Sequence, residues 1–256
     1  IDEDGKRKEI LKEHQYTREK IKSSTHAPPP ERSLEVQFLD GELNGTDLEE
    51  VTKLDLDGYQ LTELPKNLKN LTQLKVLVLS KNQLTELPKD LEKLTQLERL
   101  YLGDNQLTDV KGLEKLTKLE VLYLEGNKLT DVKGLENLNQ LTNLSLDVNW
   151  LTDVTELGRL KKLKELNLGG NQLTNMKDLD KLTQLTSLDL GGNQLTKVPK
   201  ELEKLTKLKE LWLHENMLTN LKGLENLTQL KELYLEDNPD LTKAQIAELQ
   251  KALSKC

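Results

Sequence analysis

Leu119-Glu120-Val121-Leu122-Tyr123-Leu124-Glu125-Gly126-Asn127-Lys128-Leu129 reads as Leu-x-x-Leu-x-Leu-x-x-Asn-x-Leu, and the chain writes that line nine times. The copies open at Val51, Leu74, Leu97, Leu119, Leu141, Leu163, Leu185, Leu208 and Leu230, a spacing of 22 or 23 residues. No single copy could bury its own apolar face. A fixed period in the twenties therefore predicts stacked strand-plus-turn units that share one elongated core. Within a copy the Leu-x-Leu alternation, as in Leu122-Tyr123-Leu124, has the period of a strand with its leucines turned inward and the intervening residue turned outward. The asparagines form a column from Asn82 to Asn238. A side-chain amide both donates and accepts, which suits a buried turn with unpaired backbone groups on either side. The first copy carries Tyr59 in that slot, so its turn is expected to be bonded differently.

Working outward, the second half of each copy is short. Units with Leu64-Pro65, Leu87-Pro88 and Val198-Pro199 have 23 residues and the others 22, which fits 3₁₀ pieces or tight turns better than α-helices. Downstream, Pro239 and Asp240 delay the closing leucine to Leu241. Thr242-Lys243-Ala244-Gln245 then has capping-box spacing, with Ile246, Leu249 and Leu253 at helical intervals. Residues 242–256 are thus expected as a helix laid over the last unit's leucines. Upstream, residues 34–50 are expected as an N-terminal cap. Leu34, Val36 and Phe38 alternate like a strand, and Thr46-Asp47-Leu48-Glu49 opens a helical turn. Residues 1–33 read as a charged helix followed by a linker at Pro28-Pro29-Pro30. The expected fold is an α/β solenoid, a horseshoe with a parallel concave sheet, nine repeats over 51–241 and a helical C-terminal cap.

Composition narrows the function. Hydrophobic residues are 35% of 256 and the net charge is −7, which disfavours nucleic acid or an anionic membrane as partner. The single cysteine, Cys256, allows no internal disulfide and no thiolate metal cluster. No run of 18 apolar residues is present, so no membrane insertion is expected. The chain opens on Ile1, as a processed chain or a segment of a longer one would, so the lack of a leader says little about compartment.

The Leu-x-x-Leu-x-Leu-x-x-Asn-x-Leu lines over 51–241 resemble the leucine-rich repeat superfamily. The 22-residue units, such as Leu119 to Gln140, resemble those of bacterial internalins and of phosphatase-regulatory leucine-rich repeat proteins. The Leu-Pro units resemble the 23-residue bacterial type. The resemblance implies binding of a protein or peptide on the concave face, without saying which.

No catalytic arrangement has structural context. His14, His26 and His214 are scattered, no GxxxxGK[ST] loop occurs, and Asp55, Asp57 and Gly58 lack the rest of a calcium loop. Gly169-Gly170 and Gly191-Gly192 read as small residues at a bend and not as a phosphate cradle. A non-enzyme without cofactor or metal is expected. The outward positions are more informative. The central column reads Asp55, Val78, Tyr101, Tyr123, Ser145, Asn167, Asp189, Trp212, Tyr234, and it holds four of the chain's eight aromatic residues, a residue class enriched at interfaces.

Two candidate patches follow. Val76, Val78, Arg99, Tyr101, Val121 and Tyr123 form an apolar spot with one guanidinium. Glu210, Trp212, His214, Glu232, Tyr234 and Glu236 form an aromatic, acidic one suited to a basic segment. Between them Ser145, Asn167, Gly169 and Gly191 leave a low floor. The same aromatics also stabilise a sheet through cross-strand pairs, and this remains an alternative to binding; so does the N-terminal helix folding back over one patch. Trp150, beside a turn, is expected as rim packing. The expectation is a monomeric, bacterial protein- or peptide-binding module, exported or at the cell surface in preference to the cytoplasm. The alternative is a regulatory or targeting segment of a larger protein or enzyme.

Overall fold

The computed structural model describes residues 33–43 and 45–253. The expected N-terminal helix and the Pro28-Pro29-Pro30 linker lie outside the described residues. The chain divides into two units between Asp40 and Gly41.

The repeat unit comprises nine short parallel strands in one sheet, ordered as in the sequence. They are β1 (Lys53–Asp55), β2 (Val76–Val78), β3 (Arg99–Tyr101), β4 (Val121–Tyr123), β5 (Asn143–Ser145), β6 (Glu165–Asn167), β7 (Ser187–Asp189), β8 (Glu210–Trp212) and β9 (Glu232–Tyr234). The register follows the motif without a slip: Leu54, Leu77, Leu100, Leu122, Leu144, Leu166, Leu188, Leu211 and Leu233 pair in one line. From Leu54 to Leu211 this line is buried. A one-residue slip would turn the whole leucine line to solvent, so burial fixes the register.

The return arcs explain the rest of the leucine spacing. In the second arc Leu91, Leu94 and Leu97 each donate their N–H to the carbonyl three residues back, at 2.9–3.0 Å, and the same bonds recur in the other arcs. Three residues per turn eclipses positions i and i+3, so three successive leucines point into the core from one arc. Regular 3₁₀ pieces form at Lys66–Asn70, Lys89–Lys93, Thr155–Arg159, Leu179–Lys181, Lys200–Lys204 and Leu224–Asn226. Three of them start after Pro65, Pro88 and Pro199, at φ of −57°, −68° and −60°, where proline's fixed φ fits and its missing donor leaves nothing unpaired.

The asparagine column is a hydrogen-bonded zipper that is buried throughout. Asn149 is representative. Its Oδ1 accepts from the Leu129 N–H of the preceding unit at 3.0 Å, and its Nδ2 donates to the carbonyls of Leu124 and Leu146 at 3.0 and 3.1 Å. Leu146 O accepts again from Asn171 Nδ2 at 3.0 Å. Each such carbonyl is therefore shared by two neighbouring asparagines.

Two expectations are corrected. Residues Leu34–Leu39 form a helix, α1, and not a strand. Ser33 caps it, its side chain accepting from the Val36 N–H at 3.3 Å. Three apolar residues over five positions fit either period, and the local cap decides. Helix α2 (Gly45–Glu50) begins one residue before Thr46 and packs against the Lys66–Asn70 turn. Helix α3 (Lys243–Leu253) has the capping box read from the sequence: the Thr242 N–H donates to Gln245 Oε1 at 2.8 Å, and the Gln245 N–H donates to Thr242 Oγ1 at 3.3 Å. It packs against the Leu224–Asn226 turn, and Gln245 Nε2 ties it to Thr219 O at 2.8 Å. Leu249 of this helix is buried, while Leu230, Leu233, Leu235 and Leu241 of the last unit are half-buried.

Candidate interaction surface on the sheet

Each three-residue strand turns its first and third residues outward, and the residue after the strand's following leucine extends the same face by a third column. The strand register sets these columns side by side at about 4.8 Å between strands.

All six residues of the first candidate patch meet on β2, β3 and β4. Val76, Arg99 and Val121 pair in one row and Val78, Tyr101 and Tyr123 in the next. The valines and tyrosines are half-buried and Arg99 is exposed. Tyr101 and Tyr123 meet edge to face, with centroids 5.3 Å apart and planes at 86°, the arrangement that places a ring's positive edge on its neighbour's negative face.

The second patch is also assembled. Glu210 pairs with Glu232 and Trp212 with Tyr234. Trp212 and Tyr234 stack with centroids 5.3 Å apart and planes within 4°, and Tyr234 Oη donates to Glu232 Oε2 at 2.7 Å. His214 leans back across the sheet: a Cβ at Gly191 would lie 2.3 Å from its Cε1. That corrects the expected low floor, because His214 occupies the space over Gly191. The floor persists at Gly169, whose N–H donates to Asn167 Oδ1 at 3.0 Å. His214 Nδ1 is buried without a hydrogen-bond partner.

Reading the columns one at a time missed Glu125. It lies beside Tyr123 and leans over Gly103, where a Cβ would come within 2.2 Å of its Oε1. Its Oε2 is buried and makes no hydrogen bond. Burial pushes the carboxyl up to about 7, with the charges of Asp147 and Asp104 adding to the shift, while its own backbone N–H and Lys81 oppose it. The signal was present in the sequence, in the pairing of a glycine at 103 with an acid 22 residues on in the third column.

Trp150 is corrected too. It is 53% exposed, and Val148, two residues before it, is 60% exposed. Neither is packed into the rim. Val148 also has φ of +53°, a left-handed conformation that crowds a β-branched side chain. Together with Gly126, Gly170, Gly192 and Gln172 they line a shallow recess of about 420 Å³.

Among the described residues no group of three or more His, Cys, Asp or Glu side chains could hold a metal ion. No helix among them is long and apolar enough to cross a membrane.

A parallel sheet closed by short arcs, joined by an asparagine zipper and carrying its variable residues outward, defines a leucine-rich repeat protein. A "Leucine-rich repeat region" profile matches residues 43–156, and a "Leucine Rich repeats (2 copies)" profile matches 139–182, 183–226 and 206–250. The chain belongs to this family, with internalin-like 22-residue units and 23-residue Leu-Pro units. Among solved structures it is similar to internalin C2 of Listeria monocytogenes, with 29% identity and a TM-score of 0.71 over 78% of this chain and 90% of that one. It is also similar to the functional domain of InlJ from the same organism, with 27% identity and a TM-score of 0.60 over 74% of this chain and 45% of that one. That domain includes a cysteine ladder; this chain has one cysteine in all. A leucine-rich repeat protein of Leptospira interrogans matches at 28% identity and a TM-score of 0.50, over 83% of this chain and 67% of that one. A search of curated protein sequences gave no match.

Proposed function

We propose that this protein is a non-catalytic module that binds a protein or peptide on the outward face of its sheet, with the Tyr101–Tyr123 patch as the main anchor. The observation that carries the reading is the use of the aromatic residues. Four of eight stand in one outward column, in two touching pairs. The core is built of leucines that point the other way, and those of β3, β4 and β8 are fully buried beneath Tyr101, Tyr123 and Trp212. Rings held upright by a neighbour lose little freedom on binding and bring large contact area. The three valines and Arg99 around the first pair complete the composition of an interface centre. The likeness to bacterial internalins supports an exported or cell-surface setting, and we read the protein as a monomer.

The test is affinity capture of the partner, followed by measured affinity for the wild type and for Tyr101→Ala/Tyr123→Ala and Val78→Glu. All three positions face outward from a closed core, so circular dichroism is expected to be unchanged. Loss of the ring pair is expected to cost at least about 2 kcal/mol of binding, roughly thirtyfold in Kd. Unchanged affinity in both variants would refute the site.

A further inference from the structure

The β6–β9 end of the sheet differs from the rest in charge. Its twelve outward positions, four strands by three columns, include Glu165, Asp189, Glu210, Glu232 and Glu236. They include no lysine or arginine; His214 is the one basic side chain among them, and it lies folded over Gly191. On β1–β5 the same columns carry both Lys53 and Arg99. Inside the acidic field stands the Trp212–Tyr234 pair, whose near-parallel rings are stacked on one another across β8 and β9. Asp189 pairs with Trp212 on the β7 side, and the row of Glu210 and Glu232 runs alongside. The Asp189 carboxylate is aimed by the Gly191 N–H, which donates to its Oδ1 at 2.8 Å. Glu232 is held by Tyr234 Oη.

An aromatic face attracts a cation through its quadrupole, and indole does so best. Carboxylates at its edge supply the charge-assisted hydrogen bonds that a guanidinium's planar fork takes in pairs. We propose that the β6–β9 end is a receptor for an extended cationic peptide segment, with an arginine side chain over the Trp212–Tyr234 stack between Asp189 and the Glu210–Glu232 row. The inference rests on the reading of the sheet face as a binding surface, and adds the chemical class of ligand and the position of its anchor. A lysine would satisfy the charge but not the flat stacking, so arginine is preferred to lysine. Asp189 was not among the sequence-derived candidates, and here it is the specificity-determining acid.

The experiment is isothermal titration of the full chain with three hexapeptides in which glycine alternates with arginine, lysine or glutamate. The arginine peptide is expected to bind most tightly, the lysine peptide several-fold more weakly, and the glutamate peptide not at all. Trp212→Ala is expected to weaken the arginine peptide about tenfold. Asp189→Asn and the isosteric Glu210→Gln/Glu232→Gln pair, which keep the side-chain shape, are each expected to weaken it several-fold. The affinity should fall as salt is raised from about 0.05 to about 0.5 M. Tyr101→Ala/Tyr123→Ala should leave it within about twofold, since that patch lies at the other end of the sheet. Failure of the arginine peptide to bind overturns the proposal, as does equal affinity in Trp212→Ala and the carboxamide variants. Loss in the Tyr101/Tyr123 variant alone also overturns it, by moving the peptide to the first patch, and leaves the sheet-face reading standing.

Discussion

Replacing Glu125 by Gln should make the protein more stable above pH 7 and leave it almost unchanged near pH 4.5. The carboxyl lies over Gly103 with Oε2 buried and unbonded, and burial lifts it from its ordinary 4.5 to about 7. Between those values the folded chain holds a proton that the unfolded chain has released, so stability falls as pH rises through the window. Below about 4.5 both states are protonated and the difference vanishes. Above about 7 the full penalty of a buried carboxylate beside Asp104 and Asp147 is present. The interval corresponds to about 3 kcal/mol at 1.36 kcal/mol per unit; partial access to solvent screens this to about 1–2 kcal/mol. The glutamine keeps the shape, removes the charge, and offers an amide donor to the neighbouring carboxylates. Urea unfolding of both proteins at pH 4.5, 6 and 8 measures the effect. The wild type should lose stability relative to Glu125→Gln across this range, with the gap opening between pH 5 and 7. Two profiles that run parallel would refute the argument, because the pH-dependent part would then belong to other groups.

Two further perturbations probe the turns. Asn149→Ala strands the buried Leu129 N–H and removes one of two donors from each of Leu124 O and Leu146 O; it should cost about 2–4 kcal/mol in urea unfolding, and a loss under about 1 kcal/mol would mean the zipper is not what holds adjacent units together. Val148→Gly relieves a left-handed β-branched residue that is mostly exposed, a gain of about 1–2 kcal/mol offset by about 0.4–1 kcal/mol of unfolded-state entropy. The net should be about 0.5–1 kcal/mol of stabilisation, seen as a melting temperature a few degrees higher, and a lower one would show that the valine's contact over Gly170 matters more than its strain.

The fold was legible because every structural position is written nine times. Leucine spacing gave strand, core and 3₁₀ arc together, and each copy corrected accidents in the others. Where a feature occurs once, that averaging is gone. Leu34, Val36 and Phe38 suited strand and helix equally until Ser33 capped the segment. Trp150 could be placed on the rim from its slot, but the recess it lines is shared with Val148 of its own unit and Gly170 of the next, which that slot does not reveal.

The candidate site shows the same limit in a sharper form. Column reading placed all twelve residues of the two candidate patches on one face, because parallel register carries each offset across the sheet unchanged. It did not find that Glu125 fills the hollow of Gly103, or that His214 fills that of Gly191, because those facts belong to pairs of neighbouring units. Tyr59 makes the point from the other side. Its slot looks like a broken link in the zipper, and its turn does differ, with Gln60 left-handed as well as Gly58. Yet each asparagine also serves the unit before its own: Asn82 Oδ1 accepts from the Leu61 N–H at 2.8 Å, and Asn82 Nδ2 donates to Leu56 O at 2.8 Å. The first unit's backbone is thus satisfied by the second unit's asparagine. Half the bonds of an asparagine at 59 would go to a preceding repeat strand, and among the described residues β1 has none before it in the sheet. The meaning of a residue in this chain is set one period away, and a reading that compares each unit with its predecessor recovers what a reading of columns alone does not.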